Sequence, residues 1–344
     1  MPLGAASLLF GLLAGLDRLG WGLPVPSPDI VLLHGPLMAA GFFGTLIAFE
    51  RAVAMRSAWT YAAPLLTGLG GLALALGAPA LGAAGAILAG STIYLLAALR
   101  LNVRHRALHI AVMTLGAACL FAGNLLWLLG SALPGVVPWW LAFLVLTIGG
   151  ERLELSRLVQ PPDWARAAFL GCVLVLLAGV AVTGWRMLGI GLLGLAIWLS
   201  CYDIARRTVG GRGQARFSAI CLLSGYAWLG LAGLYALLSG DPTDGLGYDA
   251  ILHAVFLGFV FAMVFGHAPI ILPAVAGIRV PFRRGFYAPL AVLHAGLLLR
   301  IAGDLLVWEP GRSWGGLVDA LAILGFLATV AAAVLGQTRK MSRP

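Results

Sequence analysis

Charge is what this sequence has least of. Only 10% of its 344 residues are Asp, Glu, Lys or Arg, where a soluble domain carries roughly 25%. So few charges cannot cover a water-facing surface, which excludes a soluble globular protein. Cysteine is scarce too. Cys119, Cys172, Cys201 and Cys221 form no CxxC pair, so neither a disulfide framework nor a zinc ribbon is expected. Period-2 alternation is missing from the apolar runs, which excludes a membrane β-barrel. The first run has no basic stretch before it and leads into Asp17–Arg18, so no cleavable signal is expected. Nor is there room for a long soluble loop. Function must sit within the membrane segments or at their rims.

What is present is apolar sequence. Hydrophobic residues make up 61% of the chain, and the mean hydropathy is +0.99. The runs are about 18–25 residues long, enough to cross a bilayer as helices. In lipid, backbone polar groups need internal partners, and helices supply them. The expected fold is an all-α polytopic membrane protein, one bundle over 1–344. Twelve spans are predicted at 3–23, 29–50, 59–78, 80–99, 107–130, 135–151, 164–183, 186–203, 217–239, 249–276, 286–306 and 314–336.

The net charge of +9 does not read as a nucleic-acid footprint, because the cations are dispersed between apolar runs. Most fall in every second loop: Arg51 and Arg56; Arg100, Arg104 and Arg106; Arg152, Arg157 and Arg166; Arg206, Arg207, Arg212 and Arg216; Arg279, Arg283 and Arg284; and the tail with Arg339, Lys340 and Arg343, while the opposite loops hold little beyond Arg186 and Arg312. By the positive-inside rule the cation-rich loops and both termini are cytoplasmic, in a bacterial inner membrane. The other loops, at 21–26, 239–244 and 308–314, read as turns with interfacial Trp anchors.

In so apolar a chain, an intramembrane polar residue is a functional candidate. His34 and His253 lie on helices 2 and 10, which enter from the same side, each roughly 6–8 Å below the outer interface. Facing imidazoles could serve as axial ligands of a b-type haem; a hydrogen bond between helices is the plainer reading. Met38 lies one turn from His34. Gly41 and Gly44, and likewise Gly258 and Gly266, thin their helices so that a macrocycle or another helix can approach. His267 is about 21 Å along the axis from His253 and cannot share its site. With His294 it could form a second, inner site for copper, or a polar contact at the kink expected from Pro269 and Pro273. His105 and His109 share one face at i,i+4, a spacing that suits a metal, but beside Arg104 and Arg106 they read as a solvated interface. Glu50 and Glu151 read as interfacial ion pairs, or as steps of a proton path. Arg300 can pair with Asp304 at i,i+4; alternatively Arg18 and Arg300 could bind haem propionates.

Two segments carry a family likeness. His34-Gly-Pro-Leu-Met38-Ala-Ala-Gly41-Phe42 resembles the H-x-x-x-M-x-x-G-F signature of the NnrS family of membrane proteins. His253-Ala254, with Gly258, Met263 and Gly266, resembles that family's second signature, H-A-x-x-x-G-x-x-x-x-M-x-x-G. The resemblance implies a 12-helix haem- and copper-containing protein linked to nitric oxide and nitrosative stress, distantly similar to subunit I of haem–copper oxidases. Where the family's first signature has a second histidine and a Glu, this chain has Pro36 and Leu37. Predicted helices 6 and 7 hold no histidine, so oxygen reduction in the oxidase manner is not expected. A function in binding or redox handling of a small diatomic such as nitric oxide, or in electron transfer with a redox partner, follows. The alternatives from other classes are a 12-helix secondary transporter and an assembly factor of a membrane complex.

Overall fold

The computed structural model describes residues 2–26, 28–240, 242 and 245–341. Of the turn expected at 239–244, Asp241, Thr243 and Asp244 lie outside the described residues, as does Arg343 of the tail. The protein is all-helical: no strand occurs among the described residues. Among the described residues, twelve helices of 17 residues or more organise it: α1 (Pro2–Arg18), α2 (Ile30–Met55), α3 (Ala58–Ala75), α4 (Ala80–His105), α5 (Leu108–Leu128), α6 (Leu133–Leu158), α7 (Asp163–Ala181), α8 (Trp185–Tyr202), α9 (Gly213–Ser239), α10 (Leu246–Pro273), α11 (Arg284–Leu305) and α12 (Glu309–Gly336). The eleven from α2 to α12 are long and apolar enough to cross a membrane. The protein is a polytopic helical membrane protein. At 17 residues α1 is shorter than these eleven.

Local chemistry explains where the helices stop. The first helix was expected to reach residue 23 but ends at Arg18. Gly20 adopts φ +86°, and Trp21 N–H donates to Leu16 O at 3.3 Å, a glycine-terminated helix end. The break expected at Gly77-Ala78-Pro79 is present: Gly77 has φ +77°, and α4 begins just after Pro79. The segment expected to be a turn at 308–314 is instead helical from Glu309 onward. Pro310 is tolerated in a first helical turn, and Glu309 complements the helix dipole there. His105 and His109 do not share a helix. Arg106, at φ 46°, closes α4 between them, and His109 belongs to α5.

The chain divides into two compact units, Met1–Glu154 and Leu155–Pro344. In the first, α1 and α3 both pack on the middle of α2, and α3, α4 and α5 follow one another as packed neighbours. Trp140 of α6 is fully buried and donates its indole N–H to Asn124 Oδ1 of α5 at 2.9 Å. In the second unit, α7–α8–α9 is one packed series, α9 packs on α10, and α11 and α12 pair along their length. Lipid supplies no hydrophobic drive for these contacts, so close van der Waals approach matters most. The α8–α9 crossing shows it: a Cβ on Gly189 would stand 2.6 Å from Gly233 O.

Two stretches depart from α-helical winding. Leu37–Gly44 in α2 and Ala254–Phe261 in α10 are π-helical. Each has eight residues in i→i+5 hydrogen bonding, much longer than the usual single-turn π-bulge, and π-segments concentrate at functional sites. One begins three residues after His34, the other directly after His253.

Candidate functional site

In the first unit, His34 starts the regular part of α2. Its Nδ1 lies 2.7 Å from Gly11 O of α1. A carbonyl only accepts, so the ring proton sits on Nδ1, and in the neutral ring Nε2 carries the lone pair. Gly15 makes this possible: a Cβ there would be 2.8 Å from both Cε1 and Nδ1 of His34. The imidazole thus sets its Nδ1–Cε1 edge against the glycine face of α1. Met38 rests on the same face, its Sδ 2.6 Å from where a Gly11 Cβ would be.

In the second unit, His253 repeats the pattern with a different carbonyl. Its Nδ1 donates to Asp249 O, one turn back, at 2.8 Å. The Asp249 carboxylate also approaches, with Oδ1 3.4 Å from Nδ1. That carboxylate is held by Arg300, whose Nη2 donates to Oδ2 at 2.8 Å. Arg312 of α12 adds a second cation, with Nε 3.0 Å from Asp304 Oδ1 and 3.9 Å from Asp249 Oδ2. Three helices therefore meet in one buried charge cluster: Asp249 and His253 from α10, Arg300 and Asp304 from α11, and Arg312 from α12. Along its own helix, His253 lies seven residues from the start of α10, or about 10 Å. His34 lies four from the start of α2, about 8 Å at the steeper rise of that first turn.

Residues 1–335 match the family described as Domain of unknown function (DUF8744). The chain belongs to that family. No curated protein matches it, and no solved structure does.

The DUF8744 match runs from α1 to the last turn of α12, so it includes both histidines and the charge cluster. The other expected site residues of this DUF8744 protein have more local roles. Gly41 faces Ser7 Oγ and Gly71 Cα, at 3.0 and 3.5 Å from a would-be Cβ. Gly258 faces Trp228 and Leu297. At both positions the close neighbour is another helix. Arg18 is exposed at the end of α1. Arg300 is buried and engaged by Asp249 rather than by Asp304. The i,i+4 pairing fails because Arg312 reaches Asp304 from the neighbouring helix.

His267 donates Nδ1–H to Met263 O at 2.7 Å. His294 has both nitrogens committed to α9. Trp228 Nε1–H donates to its Nδ1 at 3.1 Å. That puts the ring proton on Nε2, 3.0 Å from Ser224 Oγ. A copper ion at His294 would have to displace one of these bonds, so its surroundings do not fit the inner metal site. Among the described residues no three His, Cys, Asp or Glu side chains converge as a metal site; haem, bringing its own equatorial nitrogens, does not need them. Near the other membrane face of the first unit, Arg51 pairs with Glu151 across α2 and α6, and His109 Nε2 lies 3.7 Å from Glu154 Oε1. Of the two glutamates expected in interfacial ion pairs, Glu151 thus pairs between helices, with Arg51.

Sequence reading missed both π-helical stretches, the partner of Arg300, and Asp319 altogether, and it took Arg312 for a loop charge. Asp319 carried a usable signal, being a charge within a run that is otherwise apolar.

Proposed function

We propose that this protein is a b-type haem protein of the membrane that binds or redox-handles a small diatomic such as nitric oxide, with His34 and His253 each a candidate axial ligand. One observation carries this reading. Each histidine stands in a membrane-length helix that turns π-helical beside it, and each gives its Nδ1 proton to a main-chain carbonyl. That hydrogen bond selects the tautomer a metal needs, with Nε2 as the donor atom. The motif likeness to the NnrS family points the same way. When bound, haem iron would supply ligation of the diatomic and one-electron exchange. The chain's own residues would orient the imidazoles: Gly11 O and the Gly15 face for His34, and Asp249, steadied by Arg300, for His253.

The test is optical. The full chain, expressed with haem supplementation and purified, should show a Soret band that shifts on dithionite reduction and again with nitric oxide. His34→Ala and His253→Ala should weaken or shift it. No Soret band under those conditions overturns the proposal.

The same reading includes α1 as a twelfth crossing, with both termini in the cytoplasm of a bacterial inner membrane. Reporter fusions test this. A fluorescent protein fused to the C-terminus should glow, and a periplasm-dependent phosphatase fused there should stay inactive. The reverse pair of results overturns the topology.

A secondary transporter is the second reading. It is favoured by the π-helical stretch within one continuous helix of each unit, since transporters place substrate sites where a membrane helix departs from regular winding. Substrate-dependent flux into liposomes, with no bound chromophore, would select it.

A further inference from the structure

The α10–α12 cluster contains one carboxyl more than its guanidiniums balance. Asp249 and Asp304 are engaged by Arg300 and Arg312. Glu309, also near Arg312 with Oε2 3.6 Å from Nη1, is 65% exposed and belongs to the surface. His253 spends its Nδ1 proton on a carbonyl. Asp319 remains. It is 2% exposed, and neither of its carboxyl oxygens has a hydrogen-bond partner among the described residues.

Packing shows where Asp319 is aimed. A Cβ on Gly315, one turn before Asp319 on α12, would stand 2.5 Å from Arg300 N. A Cβ on Gly296, one turn from Arg300 on α11, would stand 2.5 Å from Asp319 Oδ1. The two antiparallel helices thus set Asp319 one turn deeper than Arg300. From the α11–α12 connection inward, the polar groups form a column: Glu309 at the surface, then Arg312 with Asp304, then Arg300 with Asp249, then Asp319. Asp319 is ten residues below Glu309, about 15 Å along the helix, near the middle of a bilayer core roughly 30 Å thick.

We propose that Asp319 is a membrane-embedded proton-binding site, reached from the α11–α12 connection face through this column. The step is carboxylate plus proton giving carboxylic acid. The proton enters from bulk water at that face by way of Glu309 and Asp304, and Arg300 holds the deprotonated form when the proton leaves. An unpaired carboxylate at this depth costs too much to persist, so a bound proton completes the charge balance. This inference stands apart from the haem reading, because none of its groups need bind iron.

Infrared spectroscopy of the full chain in lipid nanodiscs tests it. At neutral pH the wild type should show the carbonyl stretch of a protonated carboxyl, shifted in D2O. Asp319→Asn should lose that band, and sodium should leave it unchanged. Absence of the band in wild type, or its persistence in Asp319→Asn, overturns the proposal. Loss of the band on adding sodium also overturns it, in favour of a metal-cation site. If Asp319→Asn does not fold, wild-type protein treated with a lipid-soluble carbodiimide, which attacks protonated carboxyls, supplies the answer by mass spectrometry. Modification should fall on Asp319; modification elsewhere alone, or nowhere, overturns the proposal.

Discussion

Arg300→Leu is expected to destabilise the protein by about 3–5 kcal/mol, the usual effect of removing one partner of a buried ion pair. Leucine fits a lipid-embedded helix as well as arginine does, so loss of helix propensity is not the cause. The cost comes from what stays behind. Asp249 stays buried between the helices but loses its 2.8 Å donor. Asp249 in turn flanks His253, so the damage should spread to the histidine. Thermal unfolding of the purified protein in detergent would measure it. Combining Arg300→Leu with Asp249→Asn should recover part of the loss, since a neutral amide tolerates burial better than an orphaned carboxylate. Arg300→Lys should fall between, because an ammonium lacks the planar fork that holds a carboxylate. Wild-type stability in Arg300→Leu would mean that the ion pair does not tie α10 to α11.

On the proposed haem reading, Gly15→Val should displace the His34 ring and lower haem binding roughly 10–100-fold, the range seen when the support of a metal ligand is removed. A Cβ at residue 15 would lie 2.8 Å from two ring atoms, closer than carbon atoms pack, and valine adds two methyls beyond it. The imidazole must swing off α1 and give up its bond to Gly11 O. The strain should also cost about 1–3 kcal/mol. Haem titration of the purified variant, followed by the Soret band, reads the first effect, and thermal unfolding reads the second. Unchanged haem binding alongside reduced stability would assign His34 a purely structural role. Gly35→Ala is the control, since nothing lies within 4 Å of a Cβ there.

The helices were legible because lipid imposes a length and an apolar composition that no other environment requires. The errors at their ends came from backbone geometry. Arg18 closes α1 because Gly20 takes a left-handed conformation, which hydropathy does not register. Residues 309–314 join α12 because polar side chains are compatible with a first helical turn at a membrane face. The glycines were legible as close approaches, but not as to what approaches. Helix packing fills the space beside Gly41 and Gly258, whereas the space at Gly15, never singled out, is filled by the His34 ring. Spacing along one helix paired Arg300 with Asp304, and a cation from the next helix took that carboxylate.

By itself, the sequence determined that this is a helical protein of the membrane, roughly where its helices run, and which few polar residues lie inside them. Composition suffices for that, because each helix must satisfy its own backbone hydrogen bonds in lipid. Tertiary structure alone decided the chemistry of those polar residues. Which nitrogen of His34 carries the proton depends on a carbonyl 23 positions earlier in the chain. Whether His294 keeps a lone pair depends on Trp228, 66 positions away. The isolation of Asp319 depends on how α11 and α12 align. A side chain's protonation and donor state follow from what touches it, and those contacts are made only when the helices pack.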